Sequence, residues 1–124
     1  MPHLIIEHSA NIKKNSVRTL ETEIQNIMQA HEGNFDADQC KCRSFAFDDY
    51  FVGKSDQSTS SFIHITLKAL SGRSLEVRKS LLEKIATFTN KFFLDLNIPT
   101  KRCDISIDFV EMERETYQKT SLEN

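Results

Sequence analysis

No stretch of this 124-residue sequence approaches the roughly 20 consecutive apolar residues that a membrane-spanning helix requires. Nor does the amino terminus carry a basic segment leading into a long apolar run, the pattern of a secretory leader. Net charge is also nearly absent: 16 Lys and Arg against 18 Asp and Glu leave a formal charge of -2. No strong overall field is therefore available to hold nucleic acid or an anionic bilayer, and an anionic ligand must be gripped by local charges. Cysteine is scarce. Cys40, Cys42 and Cys103 are an odd number, and Cys40-x-Cys42 lacks the two-residue spacer of zinc ribbons and dithiol redox motifs. All three are expected to be reduced thiols. His3 and His8 have no carboxylate or cysteine at metal-site spacing, so no metal is expected. These absences lead to the expectation of a cytoplasmic protein with no nucleic-acid or membrane partner.

What is present is ordinary for a globular protein, 39% hydrophobic and 27% charged. The length fits a single domain, residues 1–124. Residues 3–8 form a short apolar run with polar ends, which reads as a strand that holds the amino terminus in place. From Ser16, the residues Val17, Leu20, Ile24, Ile27 and Met28 recur at helical spacing, with Gly33 as a stop. Residues 40–47 alternate, Lys41, Arg43, Phe45 and Phe47 on one face and Cys40, Cys42, Ser44 and Ala46 on the other, a second strand. The polar stretch 53–61 reads as a surface loop, and Ile63, Ile65 and Leu67 as the apolar face of a third strand over 62–68. Gly72-Arg73-Ser74 precedes a helix in which Leu75, Leu82, Ile85, Phe88, Phe92 and Leu96 share a side. Ser74 is its N-cap, Glu76 suits its first turn, and Asn97 and Pro99 end it. The spacing of Phe88, Phe92 and Phe93 is that of core packing rather than of a ligand box. Residues 105–109 alternate as a last strand, and the polar tail 113–124 is expected to be mobile.

Strand, helix and strand thus occur twice, in units of about 2–50 and 60–112. The fold class is α+β, two β-α-β units forming a four-stranded sheet with two helices on one face. Two helices leave the other face of such a sheet, partly apolar by the alternation above, in need of a partner, and oligomerisation supplies one.

Pro2 stands directly ahead of the first strand, and methionine before a small residue such as proline is commonly removed. An internal proline nitrogen is an amide without basicity, but a terminal one is a secondary amine with a reference pKa of about 8. Burial and neighbouring cations both disfavour its ammonium form and bring it towards neutrality, where proton transfer is most effective. Taken alone, Pro2 marks no more than a site that tolerates methionine removal. His64, which alternates with the apolar face of its strand, is read as structural rather than as a second base.

Three blocks lend Pro2 its weight: Pro2-His3-Leu4-Ile5-Ile6-Glu7-His8-Ser9, then Phe62-Ile63-His64-Ile65-Thr66-Leu67-Lys68, then Gly72-Arg73-Ser74-Leu75-Glu76 with Arg78. In order and separation they resemble the 5-carboxymethyl-2-hydroxymuconate isomerase family of the tautomerase superfamily over nearly the whole chain. The resemblance implies a tautomerase-like fold assembled as a homotrimer and a role in the catabolism of aromatic compounds. It also implies catalysis by Pro2 without a cofactor, and arginines that hold a small carboxylate substrate, among them Arg73. On the second strand the family has an arginine. Counting from Asp48 places Lys41 there, whereas a two-residue shift places Arg43 there. Lysine neutralises a carboxylate but cannot fork it, so the exchange bears on substrate preference. The reaction so implied converts a 2-hydroxy-2,4-dienoate to its 2-oxo-3-enoate isomer. Two other readings stand beside it, a tautomerase acting on a smaller enol and a noncatalytic small-molecule-binding module.

Overall fold

The structure, a computed structural model, describes residues 1–98 and 100–123; Pro99, expected at the end of the second helix, lies outside the described residues. In chain order the elements are β1 (His3–Ser9), α1 (Lys14–Ala30), a 3-10 turn (Ala37–Gln39), β2 (Lys41–Phe47), β3 (Ser60–Leu70), α2 (Leu75–Leu96), β4 (Arg102–Met112) and a second 3-10 turn (Arg114–Thr116). The sheet order is β2-β1-β3-β4. Strands β1 and β2 are parallel, as are β3 and β4, while the central pair β1 and β3 is antiparallel. Each half is therefore a β-α-β unit, and the halves are joined through the central strands.

Alternation along the central strands decides which face is dry. Leu4 and Ile6 of β1 and Ile63, Ile65 and Leu67 of β3 are buried, and they form one core with Val17, Leu20, Ile24 and Met28 of α1. The stripe on α1 is the one its spacing predicts. That on α2 is not. The buried residues of α2 are Leu81, Ile85, Thr89 and Phe93, while Leu75 is 59% and Leu96 38% exposed. Leu82, Phe88 and Phe92 are half-buried, the two phenylalanines packing against the flank of the core. This helix is apolar on more than one face, and its true stripe includes a threonine, so hydrophobicity alone selects the neighbouring row of side chains.

Local chemistry fixes the ends of the elements. The Ser74 hydroxyl accepts from the Val77 N–H at 3.2 Å and caps α2. Asn97 closes that helix in the left-handed region at φ 52°. Gly33 is not the cap of α1, a place taken by His31, but the turn after it. At φ 106° it allows an approach in which an added Cβ would lie 2.7 Å from Val77 Cγ1. Strand β3 begins two residues earlier than expected, at Ser60. This polar residue is buried without penalty because its hydroxyl donates to Asp56 O at 2.7 Å, and Ser61 is likewise satisfied by Asn11 Oδ1 at 3.0 Å. The tail is also more ordered than its polarity suggests. Arg114 Nε donates to Ser71 O, Tyr117 Oη lies 3.2 Å from His3 Nε2, and Lys119 Nζ donates to Gln39 Oε1 at 3.0 Å. Among the described residues no helix covers the second face of the sheet, where Phe45 is 59% and Phe47 39% exposed.

The Thr89 hydroxyl is buried without a hydrogen-bond partner among the described residues. Thr89→Val keeps the shape of the side chain and removes that cost, so it is expected to stabilise the fold by about 1–3 kcal/mol. Ile65→Ala, which empties the centre of the core, is expected to cost about 2–5 kcal/mol. Urea unfolding measures both, and a valine variant less stable than the parent would show that the hydroxyl is satisfied.

Candidate active site

The strand pairing assembles one end of the sheet from four separate segments. His3 pairs with Lys41 and with Lys68, and Leu70 pairs with Met112. The starts of β1 and β2 and the ends of β3 and β4 therefore meet on one edge. Pro2 lies at the centre of that edge, buried, and its carbonyl accepts the Lys41 N–H at 3.0 Å. The half-buried Met1 precedes it.

Positive charge converges on this amino terminus. Burial, followed by the charges of Arg73, Lys41, Lys119 and Arg114 in that order, holds the terminal amine below its usual range. Two of these cations, Arg73 and Lys41, belong to the set read from the sequence; Arg114 and Lys119 do not. Their signal was the register itself. Parallel strands β3 and β4 run side by side to Leu70 and Met112, so residues just past β4 must lie beside the Gly72-Arg73 turn just past β3.

Arg73 is held by the backbone. Its Nε donates to Gly33 O at 2.6 Å, Nη1 to Leu70 O at 3.3 Å and Nη2 to Asn34 O at 2.9 Å. The guanidinium lies 4.0 Å from the ring centroid of the buried Phe35. Three of its five N–H groups are thus committed to aligning it, and two remain for a ligand. Burial and the neighbouring charge of Arg114 lower its hold on its proton.

Lys41 and Arg43 lie on the same face of β2 but meet different partners. Lys41 Nζ donates to Gln39 O at 2.9 Å, while Arg43 Nη1 lies 3.1 Å from His3 Nδ1. Arginine has no acceptor, so Arg43 donates, His3 Nδ1 carries the lone pair, and the proton on Nε2 points to Tyr117 Oη. Burial and the nearby Arg43 lower the His3 pKa in keeping with this neutral tautomer. Arg43 is thus engaged with His3, and Lys41 is the β2 cation whose charge acts on the terminal amine.

Other sequence candidates lie apart from this edge. His64 Nδ1 is 2.6 Å from Ser106 Oγ on the uncovered face, and His8 is buried with Nδ1 2.8 Å from Ser9 O. The described residues contain no group of three or more His, Cys, Asp or Glu placed to hold a metal. The cysteines are free and half-buried, and burial raises all three thiols, so none is an activated nucleophile. Two sizeable clefts also lie elsewhere. One of about 510 Å³ is rimmed by Glu7, Asp49 and Asp104 and repels anions; one of about 730 Å³ lies between the helices, around Ile27 and Phe88. The first has no cation in its lining, and in the second Lys84 and Lys91 stand beside Glu83.

A family model described as CHMI, 5-carboxymethyl-2-hydroxymuconate isomerase, matches residues 2–124. No curated protein sequence matches the chain. Among solved structures, it is similar to a 5-carboxymethyl-2-hydroxymuconate isomerase from Deinococcus radiodurans R1 at 20% identity and a TM-score of 0.85, over 98% of this chain and 90% of that one. A 5-carboxymethyl-2-hydroxymuconate delta-isomerase structure is similar at 17% identity and a TM-score of 0.83, over 98% and 88%. A fused 4-OT wild type symmetric trimer follows at 16% identity and a TM-score of 0.70, over 91% and 88%. At these identities the likeness is one of fold, and the fold is tautomerase-like.

The amine's surroundings are directly testable. The terminal group is expected to titrate below about 8, and Arg73→Gln to raise its pKa by removing the largest of the charges beside it. An NMR pH titration reads both; an amine titrating at its ordinary value in the parent would remove the electrostatic basis of the site.

Proposed function

The chain belongs to the 5-carboxymethyl-2-hydroxymuconate isomerase family and is an isomerase of the tautomerase superfamily, and we propose that it ketonises a 2-hydroxy-2,4-dienoate through the amine of Pro2, freed by removal of Met1. The observation that supports this most is that Pro2 is buried at the edge where Arg73, Lys41, Lys119 and Arg114 all act on the half-buried amino terminus. The surroundings that lower the Met1 amine would act on a proline amine one residue further in. A neutral secondary amine at neutral pH is then a competent base.

The proton balance is simple. Pro2 nitrogen takes the proton of the 2-hydroxyl; the oxygen pair forms the C2 carbonyl, the C2–C3 double bond moves to C3–C4, and the C4–C5 pair takes the proton back from Pro2 at C5. Nothing is oxidised or lost, so no cofactor enters. Arg73 holds a carboxylate with its remaining N–H groups, and Lys41 stabilises negative charge developing on the dienolate. Arg43, bound to His3, orients the first residue of β1 and lies two residues beyond Lys41 along β2.

The exposed phenylalanines of the uncovered face support an oligomer, and the trimeric neighbour supports its being a homotrimer in particular. No helix among the described residues is long and apolar enough to cross a membrane; the cytoplasm is part of the proposal. Lys41 favours a second reading, a smaller enol with fewer carboxylates, because a point charge replaces a fork there.

Following dienol loss by absorbance, Pro2→Ala is expected to lower kcat/KM about 10²- to 10⁴-fold, the usual contribution of a positioned acid–base group. Arg73→Ala should chiefly raise KM. The kcat/KM profile should climb with pH through the amine's lowered pKa and level off below about pH 8, because activity needs the unprotonated form. Unchanged turnover in Pro2→Ala, or a mature chain whose mass retains Met1, would overturn the amine mechanism and leave a binding module. Sedimentation should give three times the chain mass, and a monomer would refute the trimer.

A further inference from the structure

Beyond Arg73, a second guanidinium is built into the same edge. The pairing of β3 with β4 continues past the sheet, Ser71 N–H donating to Met112 O at 2.9 Å. Arg114 then reaches back and donates from Nε to Ser71 O. An added Cβ on Gly72, which sits at φ 125°, would lie 3.4 Å from Arg114 Nε, so the guanidinium rests against this bare stretch of backbone, one residue from Arg73. Four of its five N–H groups are uncommitted among the described residues. The segment that carries it is held in place by the Tyr117 contact with His3 and the Lys119 contact with Gln39.

Charge pairing separates these two arginines from their neighbour. Arg78 forms an ion pair with Glu111 at 3.4 Å, whereas neither Arg73 nor Arg114 pairs with a carboxylate among the described residues. Glu113 and Glu115 flank Arg114 in sequence and still form no ion pair with it. Two like charges side by side repel, and burial together with Arg114 destabilises the charged form of Arg73. A fold that fastens both against the backbone and leaves them without counterions is arranged for an anionic ligand.

We propose that Arg114 is a specificity-determining residue that forks a second carboxylate of the substrate, Arg73 holding the first. The assignment deepens the reading of Pro2 as the reacting centre and rests on it. It also supplies what Lys41 lacks, a planar donor pair for a carboxylate remote from the enol. The carboxy-terminal segment is on this account a strap that brings the second clamp to the site, and a substrate with two or more carboxylates is preferred to one with a single carboxylate.

Two unreactive probes test this without turnover, adipate with two carboxylates and hexanoate with one, titrated by calorimetry. The parent protein should prefer adipate, and Arg114→Gln should shrink that preference about tenfold or more, the loss expected for a hydrogen bond between charged groups. Arg114→Lys, which keeps the charge and loses the fork, should restore part of it. The melting temperature of each variant identifies unfolding, and the lysine variant carries the test if the glutamine variant does not fold. Equal losses for both probes would mark Arg114 as a structural staple and overturn the proposal, as would an unchanged preference. Failure of the Pro2 mechanism reads differently. A Pro2→Ala protein that still turns over the dienol, beside an Arg114→Gln protein that has lost its preference for adipate, would remove the amine mechanism and keep the Arg114 assignment.

Discussion

Everything at the amino-terminal edge depends on the register of the four strands. Parallel pairing within each β-α-β unit and antiparallel pairing between units set the starts of β1 and β2 beside the ends of β3 and β4. Residues from Pro2 to Lys119, drawn from separate segments of the chain, then meet at one edge. A slip of one residue in β1 would turn Leu4 and Ile6 out of the core and replace them with His3 and Ile5, so the core itself enforces the register. The position of Pro2 is thus secured by burial several residues away from it.

Bringing like charges together costs stability, and the fold offsets this with backbone dipoles rather than with acids. Arg73 is aligned by the carbonyls of Gly33, Leu70 and Asn34 and stacked on Phe35, whereas Arg114 is aligned by the carbonyl of Ser71. Carbonyl oxygens orient a guanidinium while leaving its full charge in place, which a carboxylate partner would cancel. The contrast with Arg78, neutralised by Glu111, lies one helical turn away. Gly33 serves two ends here, since its left-handed backbone allows both the approach to Val77 and the aim of its carbonyl at Arg73.

Much of this architecture is legible in the amino-acid order, because period-2 alternation and helical spacing report burial directly. The two β-α-β units, the stripe on α1 and the Ser74 cap follow from such local rules. The stripe on α2 does not, because burying Thr89 in place of Leu82 or Leu96 is settled by how that helix lies on the sheet. Among the candidate site residues, Pro2, Arg73 and Lys41 stand inside or beside motifs, and the fold brings them to one edge. Arg114 and Lys119 stand in a polar tail whose composition resembles any mobile terminus. What ties them down is a few hydrogen bonds to residues some 40 to 110 positions away, information that no local pattern carries. The different surroundings of Lys41 and Arg43 are also nonlocal, for Arg43 meets a histidine of the neighbouring strand.

The uncovered face of the sheet bears on the site as well. Lys41, Arg43, His3 and Lys68 occupy that face at the amino-terminal edge, while Glu7, Phe47, Phe62 and Asp104 line a cleft towards the opposite end. One face thus carries a cationic end, an acidic end and exposed aromatic rings between strands, a distribution that would let copies of the chain associate with opposite charges in register. A copy laid there would cover apolar surface and, in the same step, wall the cationic edge on the side the helices leave open. Excluding water on that side would further disfavour the protonated amine. Assembly on this face and the basicity of the amino terminus would then be one physical problem, because Phe45 and Phe47 share their strand face with Lys41 and Arg43.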